Sequence, residues 1–91
     1  GPMVLDCASV RLGTTLKALA SPDEKDPAGE RYHVVGHTQE DLAKMVGVSR
    51  TWVAIALAQF ERHGLISKAR GRITIQSARR LEEFIANERS Q

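Results

Sequence analysis

Apolar residues in the second half of the chain recur at the spacing of an α-helix. Four of them follow one another at i, i+3, i+4 and i+7, which places them on one face of a helix. These residues are Val53, Ala56, Leu57 and Phe60. Ser49 precedes the pattern as a candidate N-cap, and Gly64 follows it as a residue that commonly ends helices. The pattern therefore predicts a helix over residues 49–62.

A shorter amphipathic segment comes directly before this helix. Thr38 is a candidate N-cap for it, and the acidic residues that follow suit the positive end of the helix dipole. Its apolar face consists of Leu42, Ala43 and Val46. Gly47 ends the segment, and only Val48 separates this glycine from Ser49. Two helices joined by so short a glycine turn are typical of a helix-turn-helix, here over residues 38–63.

A looser helical pattern covers residues 5–20. Its apolar positions are Val10, Leu12, Leu16 and Leu19. Asp6 is a candidate N-cap, and Pro22 ends the helix because proline cannot continue the hydrogen-bond ladder. A polar loop and a short β-prone run from Tyr32 follow, so residues 21–37 are predicted to form a small hairpin or an irregular crossing.

Two further β-prone runs lie near the C-terminus, at residues 65–67 and 73–75. Between them lies a basic turn that contains Gly71, so residues 65–75 are predicted to form a β-hairpin, or wing.

A last short helix is predicted over residues 78–88. Its apolar side consists of Leu81, Phe84 and Ile85. Residues 3–91 are thus predicted to form a single domain that is mainly α with small β-hairpins (α+β), a winged helix-turn-helix. Residues 1–2 are interpreted as an expression scar and excluded from the fold.

Basic side chains are concentrated in the segment that holds the second helix of the motif and the wing. The whole chain has a formal net charge of only +2. Residues 49–75 contain five basic side chains against the single acidic Glu61, a local net charge of +4. The basic residues are Arg50, Arg62, Lys68, Arg70 and Arg72. This concentration is expected of a surface that binds a polyanion, although a solvated basic loop gives the same pattern.

Other kinds of chemistry find little support in the sequence. Cys7 is the only cysteine, so no internal disulfide can form, which fits a reducing cytoplasm. No apolar run approaches the length of a membrane-spanning helix. His33 and His37 lie in a strand-to-turn segment rather than on a helix, which argues against a metal site. With no nucleophile motif and no glycine-rich phosphate loop, we predict no catalytic residue, no metal and no cofactor for this domain.

The order of the elements and three local motifs resemble the C-terminal DNA-binding domain of the Crp/Fnr family of bacterial transcription regulators. The motifs are Thr-Gln-Glu-x-Leu-Ala from residue 38, Val-Gly-x-Ser-Arg from residue 46, and Gly-Leu-Ile…Gly-x-Ile-x-Ile from residue 64. Each motif is weak alone, but the combination is specific, and the resemblance covers residues 6–85. It implies a winged helix-turn-helix that binds double-stranded DNA in the regulation of transcription.

The resemblance also implies roles for individual residues. Arg50, at the start of the second helix, is expected to donate two hydrogen bonds to a guanine in the major groove. Ser49 is expected to cap that helix close to a phosphate. The start of the preceding helix and the wing are expected to contact the DNA backbone. The residues concerned are Thr38, Gln39, Lys68, Arg70 and Arg72.

Two positions depart from the usual family pattern. Thr51 stands where the family commonly has a glutamate, and Ile55 stands where it commonly has a second basic residue. Thr51 can contact a base or a thymine methyl group, whereas Ile55 offers only apolar contact. Base preference therefore does not transfer from other members of the family.

Trp52 and Ile55 each allow more than one interpretation. The helical period places Trp52 at the flank of an outward face formed by Arg50, Thr51, Ala54, Ile55 and Ala58. The indole either packs sideways against a loop or the preceding helix, or lies against a sugar-phosphate strand and donates its N–H to a phosphate. Ile55 either contacts thymine methyl groups or forms, with Trp52, an apolar edge that meets a protein.

The resemblance further implies a longer parent protein. Members of the family usually carry an upstream β-barrel sensor domain and a dimerisation helix. A symmetric homodimer is therefore expected in the full-length protein, with recognition helices roughly 34 Å apart on a two-fold DNA site. The isolated domain is expected to be a monomer that binds DNA weakly. RNA polymerase is left open as a further partner. The alternative function is a winged-helix protein–protein interaction module with weak or no specific DNA binding.

Overall fold

The computed structural model describes residues 3–89 of the 91-residue chain, with the side chains of residues 8–88. This range contains four helices and four strands. In chain order they are α1 (Met3–Leu19), β1 (Ser21–Pro22), β2 (Tyr32–Val35), α2 (Gln39–Val46), α3 (Arg50–Arg62), β3 (Ile66–Ala69), β4 (Arg72–Ile75) and α4 (Ala78–Arg89). The predicted α+β class is confirmed: α2 and α3 form the helix-turn-helix, and β3 and β4 form the wing.

The wing belongs to a larger antiparallel sheet whose strand order is β1-β2-β4-β3. Strand β4 is paired along both edges, so that Ile75 lies opposite Tyr32 of β2 and also opposite Ile66 of β3. Of the small hairpin and the irregular crossing expected before α2, the structure forms the hairpin, with a β1 of only two residues. The pairing of β2 with the wing was not predicted, because strand pairing depends on tertiary packing more than on local sequence.

The helices pack with the sheet around a hydrophobic core. Its fully buried members include Leu12, Leu16, Leu42, Val53, Leu57, Phe60, Ile75 and Leu81. The apolar stripe predicted for α3 is confirmed, since all four of its residues are buried. Phe60 also meets Phe84 of α4 edge to face, with ring centroids 5.3 Å apart, a favourable arrangement of aromatic rings. Burial of this stripe determines which side of α3 faces solvent.

Two details of the predicted elements are wrong. Asp6 does not cap α1, because the helix begins at Met3 and the intervening residues include neither glycine nor proline to interrupt it. The wing turn is shorter than predicted, because antiparallel pairing extends the strands until Ala69 lies opposite Arg72. Residues 1–2, interpreted as an expression scar, and the side chain of Cys7 lie outside the described part of the chain. None of the helices within residues 3–89 combines the length and the apolar content needed to cross a membrane.

Candidate nucleic-acid interface

The turn between α2 and α3 fixes the direction of α3. Gly47 ends α2 with φ 84° and ψ 38°, a left-handed conformation that glycine adopts without steric cost. The N–H groups of Gly47 and Val48 both donate to the carbonyl oxygen of Ala43, at 2.8 and 3.0 Å. Helix α3 begins at Arg50, directly after Ser49. The backbone between the two helices is therefore short and hydrogen-bonded, as the sequence predicted.

The N-terminus of α3 is capped, and its first residue is free to meet a ligand. Ser49 has an extended backbone, and its Oγ accepts a hydrogen bond from the Trp52 N–H at 3.0 Å. Arg50 is exposed, and no described residue forms an ion pair or a side-chain hydrogen bond with it. The guanidinium therefore keeps all its N–H donors available.

The N-terminus of α2 carries a reciprocal cap. The Thr38 Oγ1 accepts from the Asp41 N–H at 3.0 Å, and the Asp41 carboxylate accepts from the Thr38 N–H at 2.9 Å. The hydrogen bond from the Thr38 N–H to the carboxylate, followed by the interaction of the Thr38 side chain with that carboxylate, holds the pKa of Asp41 below its ordinary value. The N-cap role of Thr38 is confirmed, whereas the hydrogen bond from the Thr38 N–H to the Asp41 carboxylate was not predicted. The capping-box pattern could have revealed this bond, with aspartate in place of the usual glutamate.

A cleft of about 240 Å³ separates the start of α2 from the wing. Thr38 and Gln39 line one side of it, and Lys68 and Arg72 line the other. The fold thus brings together residues from two distant segments that the sequence assigned separately to the DNA backbone. The cleft combines two cationic side chains with a capped helix start, a combination suited to an anion.

The basic residues of the wing differ in their surroundings. Lys68 Nζ lies 3.5 Å from a carboxylate oxygen of Glu61 in the last turn of α3. Arg70 and Arg72 are exposed and have no ion-pair partner among the described residues. The contact of Lys68 with Glu61 was not predicted from the sequence, since it depends on how the wing folds back on α3.

The three unusual residues of α3 have different environments. Thr51 is exposed, and Ile55 is 55% exposed. Trp52 is half-buried and packs against the core, and whether its indole also contacts DNA stays a prediction. The Trp52 bond to Ser49 is made by the backbone, and no described residue accepts a hydrogen bond from the indole N–H. The indole is thus held in place with its N–H available.

A polar cluster that was not predicted from the sequence joins the base of the wing to β2. His33 of β2 contacts Thr74 Oγ1 of β4 through Nδ1 at 3.0 Å and Asp23 through Nε2 at 3.1 Å. The Asp23 carboxylate also accepts from the Lys25 N–H, the main cause of its lowered pKa, with His33 second. Within the described residues, no group of three or more His, Cys, Asp or Glu is placed to hold a metal ion. His33 therefore joins β2, β4 and the loop that precedes β2.

Residues 10–84 match the family model of the Crp-like helix-turn-helix domain. The chain belongs to this family. The match covers the helix-turn-helix and the wing, so the Crp-like domain is a DNA-binding domain of the transcription-regulator type.

Solved structures agree with this assignment. The reduced Fe(II) CO-sensing protein from R. rubrum is 25% identical and matches 91% of this chain and 39% of its own, with a TM-score of 0.75. The CO-dependent transcription factor CooA from Carboxydothermus hydrogenoformans is 20% identical over 92% of this chain and 39% of its own, with a TM-score of 0.74. A transcriptional regulator of the CRP family from Thermus thermophilus is 23% identical over 87% and 40%, with a TM-score of 0.70. The Crp-like domain thus spans 39–40% of the length of these regulators. No curated protein matches the chain.

Proposed function

We propose that this Crp-like domain binds double-stranded DNA in a sequence-specific manner, with α3 in the major groove and the wing on the phosphates. The observation that carries the proposal is that Arg50 is exposed at the capped start of α3 and has no partner among the described residues. An unpaired guanidinium at this place can donate two parallel hydrogen bonds to guanine O6 and N7, which favour guanine by about 1–3 kcal/mol.

The cleft between α2 and the wing supports the second half of the proposal. Thr38, Gln39, Lys68 and Arg72 line it together, so a phosphate there meets hydroxyl, amide and cationic groups at once. With Arg70 at the wing tip, these groups add affinity that does not depend on base sequence. Ser49 and the indole N–H of Trp52 supply further donors beside α3.

The same arrangement supports a proposal for the longer regulator. Two copies of α3 related by a two-fold axis would enter successive major grooves about 34 Å apart. The isolated domain would then be a monomer with weak affinity, because it lacks the avidity of the second half-site. A homodimer on a two-fold DNA site is the assembly that we propose, with RNA polymerase as a further partner of that assembly.

A salt series of binding measurements with double-stranded DNA tests the proposal. We expect affinity to fall steeply with salt, and Arg72→Ala to reduce the slope by about one. Arg50→Ala should cost about 1–3 kcal/mol and relax the preference for one base pair. Arg79→Ala removes an exposed arginine from α4 and is the matched control, expected to leave base preference unchanged. If neither Arg50→Ala nor Arg72→Ala alters binding, the domain is better explained as a protein-interaction module.

A further inference from the structure

We infer that the outward face of α3 recognises thymine through its 5-methyl group, close to the guanine that Arg50 contacts. The outward face is defined here as Thr51, Ala54, Ile55 and Ala58. This inference rests on the proposed function and names the base that the face selects.

Methyl groups dominate the outward face. Thr51 and Ala58 are exposed, Ile55 is 55% exposed and Ala54 is half-buried. Thr51, Ile55 and Ala58 lie at i, i+4 and i+7, so they form one line along the helix. The next residue on this line is the exposed Arg62. Between the Thr51 hydroxyl and Arg62, this line carries no side-chain hydrogen-bond donor or acceptor, and the exposed Gln59 lies beside it.

Thymine is the DNA base whose chemistry suits such a surface. Each base pair presents donors and acceptors in the major groove, but of the four standard bases only thymine adds a methyl group. An isoleucine placed against a cytosine amino group or a guanine O6 removes water and offers no hydrogen bond in return, which is unfavourable. Placed against the thymine methyl group, Ile55 buries apolar surface instead.

The charges around the outward face favour DNA over a protein as its occupant. Arg50 lies at one end and Arg62 at the other, and neither has an ion-pair partner among the described residues. The cationic side of the wing, with Arg70 and Arg72, belongs to the same segment of net charge +4. An apolar strip within a basic rim matches methyl groups within a phosphate rim, whereas a protein partner would need acidic groups around an apolar centre.

Helix geometry limits where the thymine lies. Ile55 follows Arg50 by five residues, which is about 7.5 Å along the helix axis. The thymine is therefore expected within a few base pairs of the guanine, in the same half-site.

The experiment begins with selection of bound sequences from a pool of duplexes with a randomised centre, using the whole chain at low salt. In the selected duplex, each thymine is then replaced singly by deoxyuridine, which removes only the methyl group. We expect one replacement near the guanine to lower affinity by about three- to fivefold, the value of one buried methyl group. Cytosine and 5-methylcytosine are compared at the same place, where the methyl group should again raise affinity.

Ile55→Ala assigns the effect to the side chain. It should lower affinity for the thymine duplex by a similar factor and abolish the response to deoxyuridine and to 5-methylcytosine. Met45→Ala removes an equally exposed apolar side chain, 50% exposed on α2, and should retain both responses. Circular dichroism establishes that both variants are folded.

The outcomes separate this inference from the function on which it rests. Specific binding that depends on Arg50 but responds to no deoxyuridine replacement overturns the thymine inference and leaves the proposed function standing. A response to deoxyuridine that survives in Ile55→Ala also overturns it. If no sequence is selected and Arg50→Ala has no effect, the proposed function and this inference both fail.

Discussion

The two sides of α3 place similar residues in opposite environments. Leu57 and Ile55 lie two residues apart and have similar volumes, yet Leu57 is 0% exposed and Ile55 is 55% exposed. The buried side is constrained by the core, because every methyl group there fills space that nothing else can fill. The exposed side has no such packing constraint. The buried residues of α3 therefore serve the fold, and its exposed residues are the ones available to a ligand.

The largest expected effect comes from truncating each of these two residues to alanine and comparing the loss of stability. Leu57→Ala should lower the free energy of unfolding by about 2–5 kcal/mol, since it leaves a cavity in the core. Ile55→Ala should change it by less than about 0.5 kcal/mol, since the side chain is already in water. Urea unfolding followed by circular dichroism measures both. Equal losses in the two variants would contradict the separation of the two sides.

Gly47 tests the turn that sets the orientation of the two sides. Gly47→Ala places a Cβ on a residue with φ 84°, which costs about 1–2 kcal/mol. Nothing lies within 4 Å of the added Cβ, so the expected loss is backbone strain alone. Gly13→Ala, in the interior of α1, provides the comparison, since there the added Cβ would meet the Ile85 side chain at 3.0 Å. Thermal unfolding of Gly47→Ala without any loss of stability would show that the turn relaxes to other angles.

Asp41 tests how far the start of α2 depends on its cap. Its pKa in the folded protein lies below the ordinary 3.8, chiefly because its carboxylate accepts the Thr38 N–H. The carboxylate therefore stabilises the fold above pH 3.8, and this contribution is lost as pH falls through the lowered folded value. Wild type should be more stable than Asp41→Asn at neutral pH, and the difference should narrow in acid. Urea unfolding of both proteins over a pH series measures this difference in the free energy of unfolding.

The control for this prediction is Glu40→Gln, an acid-to-amide change at the exposed neighbouring residue in the first turn of α2. We expect its difference from wild type to change less with pH than that of Asp41→Asn, because the cap hydrogen bonds are made by Asp41 and Thr38. A constant difference for Asp41→Asn would argue that the cap does not distinguish carboxylate from amide.

The smallest expected effect concerns Lys68 and its contact with Glu61. Glu61→Gln removes the carboxylate near Lys68 Nζ, which frees the ammonium group for a phosphate. Affinity for DNA should rise about twofold at low salt, on the scale of an exposed ion pair, and the gain should disappear at high salt. Anisotropy measurements at two salt concentrations, with Glu83→Gln as control, are sufficient. A loss of affinity would mean that Glu61 positions Lys68 for binding.

Local sequence was enough to predict the elements whose signals are local. The caps at Thr38 and Ser49, the turn at Gly47 and the buried stripe of α3 each depend on residues within one or two helical turns. The DNA-contact set was likewise predicted residue by residue, from the resemblance to the family. Whether these residues contact DNA stays a prediction.

Contacts between distant segments were beyond the sequence. The pairing of β2 with β4 joins residues about 40 positions apart in the chain. The same holds for His33 with Thr74. It also holds for Arg11 of α1, whose Nε donates to the Val46 carbonyl at 3.3 Å. Such contacts depend on how elements pack, and a one-dimensional pattern carries no register between them.

The position of β4 in the middle of the sheet has a consequence for motion. A free hairpin would have to become ordered when it meets a ligand, and that loss of conformational entropy would weaken binding. Here β4 is paired with β3 on one edge and β2 on the other, and the tip between β3 and β4 consists of Arg70 and Gly71. Amide hydrogens of β4 should therefore exchange slowly, and those of the tip quickly. Most of the ordering of the wing therefore takes place when the domain folds, so that binding a ligand would cost little further conformational entropy.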